Sequence, residues 1–400
     1  MRTTAHWPWS PPPLWERARE EGTPQHVPAG FPPPLTPPQT GEGKLRALLL
    51  AATVVLCAPA QAEIRIGLAA PLTGHMAQAG LAMQRALEAA VAETNSAGGV
   101  LGEPLALVVE DDGCASATAE GAAGLLIKQQ PALVIGHPCA SAATAAAALY
   151  GKADVLLVAV GPRHPDVTRA TASLPVPPLR LAGRDDRQGA EAARWLLAHA
   201  PGRRVAILHD RTRYQREIAD RAVAALAAAD GVIPVAVIPI VAGKHDYEAA
   251  VLALRDSGAE AVLLAGYPSE AAIVVAGIGR IGLDIPVLGS DTLATAEFAE
   301  RVATTSPRVQ VLLPARPGPA GASNGSDAYG REARGALEAW MEAARKASTV
   351  NARTLSEALR SLPIATRALG EIRFDQNGDL DTRAFAAASA RAGRWVIEER

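Results

Sequence analysis

Cys114, Cys139 and, two positions before the second cysteine, His137 are the residues whose types and spacing bear most directly on chemistry. Two readings fit them. A Cys139 thiolate activated by His137 would be a nucleophile. The two thiols could instead oxidise to one disulfide, worth about 3.5 kcal/mol for a loop of this length in the chain-entropy picture. No other constellation carries a catalytic or metal signature. The chain has no Walker A motif, HExxH, nucleophile elbow or CxxC. Its eight histidines lack metal-ligand spacing. Asp375-Gln376-Asn377-Gly378-Asp379 resembles a calcium loop, but its glycine comes two positions early and the twelfth position is not acidic. It reads as a turn between strands. The expectation is a protein that is not an enzyme and holds no metal or cofactor.

The choice between nucleophile and disulfide depends on the compartment, which the N-terminus indicates. Twelve of the 31 prolines fall in the first 62 residues. Residues 1–43 contain Pro11-Pro12-Pro13, Pro32-Pro33-Pro34 and Pro37-Pro38 without helical or strand periodicity. This stretch is expected to be disordered, as a polyproline ligand or as sequence upstream of the true start. Lys44-Leu45-Arg46, the apolar run Ala47–Ala58 and Ala60-Gln61-Ala62 then follow the grammar of a secretory signal peptide. Residues 44–62 are therefore expected to be cleaved before Glu63, leaving a periplasmic chain. The apolar run is too short to span a bilayer. Cys57 lies inside it, behind Leu56 where a lipoprotein needs a small residue. Two cysteines remain, and an even count in an exported chain favours the disulfide.

The elements that must position these residues are legible from Glu63 onward. Short continuous apolar runs alternate with longer helical patterns, as in parallel strands buried on both faces. Strands are expected at 64–68, 105–109, 132–135 and 155–158, with helices at 76–97, 115–129 and from 141. After Pro175-Val176-Pro177-Pro178 a second series begins, with strands at 204–208, 232–240, 261–264 and 286–289 between helices. A third region, 309–370, holds a strand, a Gly- and Pro-rich loop and two helices. The fold class is α/β, with doubly wound parallel sheets. Hydrophobic residues make up 49% but aromatics only 4%, so the core is built of Ala, Val and Leu. A net charge of −2 excludes the basic excess of a dedicated nucleic-acid binder. Ligands of such sheets bind outside the carboxyl ends of the strands, which directs attention to the loops at 70–80, 110–116, 136–142, 159–165, 209–215, 265–270 and 289–293.

Several of these loops carry a family resemblance. Ile66-Gly67-Leu68-Ala69-Ala70-Pro71-Leu72-Thr73-Gly74 resembles the opening strand and turn of periplasmic leucine/isoleucine/valine-type binding proteins, the type I solute-binding components of ABC importers. The likeness continues through Asn95-Ser96-Ala97-Gly98-Gly99, Asp111-Asp112-Gly113-Cys114, Ile135-Gly136-His137-Pro138-Cys139, Gly183-Arg184-Asp185-Asp186-Arg187-Gln188-Gly189 and Phe374-Asp375-Gln376-Asn377-Gly378-Asp379. It covers about 63–400. It implies two Rossmann-like lobes joined by a three-stranded hinge, with crossings near 182, 312 and 373. Lobe one would be 63–182 plus 313–372, and lobe two 183–312 plus 373–400. It also implies a Cys114–Cys139 disulfide.

The resemblance implies a ligand too: an amino acid or related carboxylate-bearing molecule in the inter-lobe cleft. In the family, hydroxyl and backbone groups of lobe one hold the α-carboxylate, and an acid and tyrosines of lobe two hold the ammonium. Tyr214, Tyr267 and Asp291 match lobe two, with Asp291 also a candidate helix cap and the tyrosines candidates for surface packing. Lobe one departs from the pattern. Ala140 stands where the family commonly has Ser, and Ser141 either substitutes for it or caps a helix. The later loop reads Gly161-Pro162-Arg163, and Ala79 replaces an aromatic. Arg163 is expected to pair with a ligand carboxylate, or else to sit in solvent or on Asp166. The implied partners are a small-molecule ligand and membrane permease subunits, with no nucleic acid, and the implied state is a monomer. The alternative is the ligand-sensing domain of a receptor or regulator with the same fold. A receptor would require a transmembrane helix after the domain.

Overall fold

The computed structural model describes residues 63–303, 308–318 and 325–397, so the expectations for the leader and signal peptide lie outside the described residues. The chain begins with β1 (Ile64–Ala70), α1 (Ala77–Ser96), β2 (Leu105–Asp111), α2 (Ser116–Lys128), β3 (Leu133–Gly136), α3 (Ala140–Lys152), β4 (Leu157–Ala159), α4 (Asp166–Arg169) and β5 (Leu179–Arg180). It continues with α5 (Gln188–His199), β6 (Val205–His209), α6 (Arg213–Asp230), β7 (Ala236–Pro239), α7 (Glu248–Ser257), β8 (Ala261–Ala265), α8 (Pro268–Arg280), β9 (Val287–Gly289), α9 (Ala296–Ala303) and β10 (Val309–Pro314). It ends with α10 (Ser326–Ala347), α11 (Ala352–Ser361), β11 (Ile364–Thr366), β12 (Gly370–Ile372), β13 (Phe385–Arg391) and β14 (Arg394–Ile397).

Two sheets result, each the centre of an α/β lobe. The first is parallel, in the order β2-β1-β3-β4-β5. The second runs β14-β13-β10-β9-β8-β6-β7, with its last five strands parallel and β13 and β14 antiparallel at one edge. Central strands β3, β6, β8 and β9 are buried along their whole length, which explains their unbroken apolar runs. Helices α1 and α10 cover one face of the first sheet through Met83, Leu87, Leu337 and Trp340, while α2 and α3 cover the other. The expected strand 232–240 is cut to β7 because it forms the sheet edge, where Val235 and Val237 stay exposed. Among the described residues no helix is long and apolar enough to cross a membrane.

The chain passes between the sheets three times, and the passages lie side by side. A Cβ on Gly183 would come 2.6 Å from Ala384 Cα, and the Ala315 N–H donates to the Ala384 carbonyl at 3.0 Å. The second and third passages fall later than expected from the sequence. Strand β10 stays in the second sheet through Pro314, paired with Phe385. Phe374 and Leu380 are packed in the first core, so the chain leaves that lobe after 380 rather than at 373.

The physical reason is an ionic knot. The Asp375–Asp379 segment is the turn expected, with Asp375 Oδ1 accepting the N–H groups of Asn377 and Asp379, both at 2.9 Å. Asp379 then reaches back to β5. Its Oδ1 accepts from Thr168 Oγ1 at 2.7 Å and from Arg180 Nε at 3.0 Å, and its Oδ2 from Arg184 Nη1 at 3.2 Å. Arg180 is fully buried there, a charge that only such a partner can make tolerable.

Candidate ligand-binding cleft

The segment after β4 and helix α6 line a shared cavity, through His164 and Tyr214 among others. On the lobe-one side the loops after β2 and β3 are tied together. Cys114 and Cys139 form a disulfide with Cα atoms 5.4 Å apart. The disulfide takes up both thiols, and the His137 ring is held by other partners. The His137 backbone is left-handed, at φ +49°, and its ring is fully buried. Nδ1 lies 2.9 Å from Asp112 Oδ2 and Nε2 lies 3.2 Å from the Tyr150 hydroxyl. A carboxylate only accepts, so Nδ1–H donates to Asp112. Burial first, and then the Asp112 charge, push the Tyr150 phenol up, keeping it neutral.

Ala140 opens α3 half-buried. Ser141 does not cap that helix; its hydroxyl donates to the Cys114 carbonyl at 3.4 Å. Gly161 is the glycine the cleft requires. Its φ is +101°, and a Cβ there would strike Tyr329 Cε1 at 2.6 Å. The loop after β4 therefore passes directly against the Tyr329 ring, and Arg316 lies over that ring with Cζ 4.1 Å from its centroid.

Arg163 follows on the same loop. Its guanidinium stacks on Phe385 at 4.4 Å and donates to the Ala384 carbonyl at 3.4 Å, so it reaches from lobe one to the third passage. Asp166, the surface partner considered from the sequence, is bound instead by Arg169 at 2.6 Å. Among the described residues Arg163 has no carboxylate within ion-pair distance. Burial pulls its pKa below the usual value, and Asp185, Asp291 and Tyr214 oppose that pull. Burial likewise raises the Asp185 carboxyl.

Lobe two supplies the opposite charge. The Tyr214 hydroxyl donates to Asp291 Oδ2 at 3.0 Å and accepts from Gln188 Nε2 at 3.1 Å. Gln188 Oε1 accepts the Asp291 backbone N–H at 2.9 Å, closing a triangle of side chains from α5, α6 and the end of β9. Burial, then Asp291, raise the Tyr214 pKa. Asp291 Oδ1 is buried with no hydrogen-bond partner among the described residues. No cap bond was found for Asp291, which opens a 3-10 turn behind Ser290. Tyr267 stands 41% exposed ahead of α8, apart from the triangle's hydrogen bonds. A cavity of about 490 Å³ runs alongside, lined from both lobes by residues including His164, Arg169, Asp185, Tyr214 and Arg221.

Sequence reasoning missed Gln188, Asp185, Arg316 and Glu332. Gln188 lay within a motif that carried the resemblance; its contacts with Tyr214 and Asp291 span distances along the chain that no local pattern encodes. Among the described residues no group of three or more His, Cys, Asp or Glu is placed to hold a metal ion.

Comparison with known proteins gives a consistent picture. A family model described as "Periplasmic binding protein" matches residues 63–394. An amino acid binding protein of Pseudomonas aeruginosa is 33% identical over 63% of this chain and 67% of its own length. The Leu/Ile/Val-binding protein BraC3 of Rhizobium johnstonii is 27% identical over 88% of this chain and 98% of its own. The crystal structure of an ABC transporter substrate-binding protein from Desulfitobacterium hafniense in complex with Leu superposes with a TM-score of 0.61 at 20% identity, covering 84% of this chain and 100% of that one.

Proposed function

The chain belongs to the periplasmic binding protein family, and we propose that it captures an amino acid or related carboxylate-bearing solute for an ABC importer. The observation that carries the reading is the pairing of two unsatisfied charges across the cleft. Among the described residues Arg163 of lobe one has no ion-pair partner, and Asp291 of lobe two has a buried oxygen with no donor. A zwitterion resolves both, its carboxylate on the guanidinium and its ammonium on Asp291. Binding then adds contacts available only when the lobes are close, which shifts the population toward the closed form that a permease recognises. Tyr267, Ala140 and Gly161 border this path, and Ser141 supports it through the disulfide loop. Export is by the signal over 44–62, cleaved before Glu63, and the protein acts as a monomer.

Calorimetry on the purified protein with a panel of amino acids and carboxylates tests this. Arg163→Met and Asp291→Asn should each weaken the binding by roughly a hundredfold, since each strands a charge. Unchanged affinity in both variants, or no binding from the whole panel, would sink the reading. N-terminal sequencing of the periplasmic fraction should begin at Glu63.

A further inference from the structure

The lobe-one wall offers more guanidinium donors than one α-carboxylate needs. Glu332, on α10, is 1% exposed and accepts from Arg316 Nη1 at 2.8 Å through Oε1, while Oε2 has no partner among the described residues. Three guanidinium groups, those of Arg316, Arg331 and Arg163, act on this one carboxylate. Arg316 and Arg163 flank one structural unit. Arg316 lies on Tyr329, Tyr329 fills the gap left by Gly161, and Arg163 is two residues beyond. Of the five donors of Arg316, only those of Nη1 are engaged among the described residues. A ring-stacked guanidinium with free donors is preorganised for a planar anion.

We infer that the cleft takes a ligand with two carboxylates, the first held by Arg163 and the second by Arg316. This rests on the solute-binding reading above and narrows it. With Asp291 ready for an ammonium group, an acidic amino acid meets Arg163, the open donors of Arg316 and Asp291 together. A branched aliphatic side chain would leave Arg316 with free donors facing apolar atoms.

The test is calorimetry on the purified protein with L-glutamate, glutarate and L-isoleucine at one salt concentration. L-Glutamate should bind at least about tenfold more tightly than L-isoleucine, the effect of one charge-assisted hydrogen bond. Arg316→Met should cost L-glutamate about tenfold or more, and Arg316→Lys should restore part of it. Glutarate binding as tightly as L-glutamate also supports two carboxylates and shows that the ammonium adds little. L-Isoleucine binding as tightly as L-glutamate overturns the inference while leaving the solute-binding reading intact. Failure of every amino acid and carboxylate to bind overturns that reading itself. If Arg316→Met does not fold, as circular dichroism would show, the comparison of ligands on the unaltered protein still decides.

Discussion

The two walls of the cleft are held in place by different physics. Lobe one fixes its loops with a covalent bond between Cys114 and Cys139 and a fully buried Asp112–His137–Tyr150 chain. Among the described residues lobe two holds Asp291 with hydrogen bonds alone, its carboxylate accepting from Tyr214 and its backbone N–H donating to Gln188. The charges divide the same way. Lobe one offers Arg163 and Arg316, and lobe two offers Asp291. Arg316 is paired with the buried Glu332 carboxylate, so Arg163 is the cation that lobe one holds without a carboxylate partner among the described residues. A carboxylate steadied by one neutral phenol, on a backbone held by the Gln188 amide oxygen, can adjust as the lobes approach. The difference therefore suggests an order of events: the ligand docks on lobe one and lobe two closes over it.

The largest effect expected from this contrast concerns the disulfide. Cys114→Ser with Cys139→Ser should lower the unfolding free energy by about 3.5 kcal/mol, the entropy of the opened loop, measured by urea denaturation. A loss below about 1 kcal/mol would mean that the buried His137 chain alone holds the loops, and the contrast between walls would fail.

Next comes the buried acid behind the cationic wall. Burial raises the Glu332 pKa from its ordinary 4.5 to about 7, against the opposing pull of Arg316, Arg331 and Arg163. The sign follows from linkage. Between those two values the folded state keeps a proton that the unfolded chain has released, so stability falls as pH rises and levels off above about 7. Glu332→Gln removes this titration. The stability of the variant relative to the parent should therefore grow by roughly 2 kcal/mol from pH 4.5 to pH 8 in denaturation curves. A difference that stays flat with pH would place Glu332 outside the electrostatics of the wall.

How much of this was visible in the sequence follows from the range of the interactions. Strands such as β3 and β8 were legible because burial on both faces leaves a continuous apolar run. Strand β13, Phe385-Ala-Ala-Ala-Ser-Ala-Arg, was not, because its alanines have no β preference and only pairing with β10 makes it a strand. Arg163 stood out because it breaks a loop pattern rich in small residues. Arg316 and Glu332 did not, since nothing local distinguishes them from surface charges; Tyr329 and the burial of α10 bring them to the cleft. The turn at 375–379 was read correctly as a turn, but its hold on Arg180 and Arg184 depends on residues almost 200 positions away.

The smallest effect tests the softer wall directly. Tyr214→Phe keeps the ring, which packs against the second-lobe core, and removes only the hydroxyl. Asp291 Oδ2 then loses its donor, and Gln188 Nε2 loses its acceptor. Because Gln188 still accepts the Asp291 backbone N–H, the loop should stay in place. Folding stability should change by no more than about 1 kcal/mol. The carboxylate, however, becomes freer to move and must be ordered again by the ligand, so affinity should fall by roughly five- to tenfold. That loss should appear mainly in dissociation, because the phenol acts after the ligand has met lobe one. Stopped-flow measurements on the variant separate the two rates. A slower association with unchanged dissociation would reverse the order of events and make lobe two the first to bind.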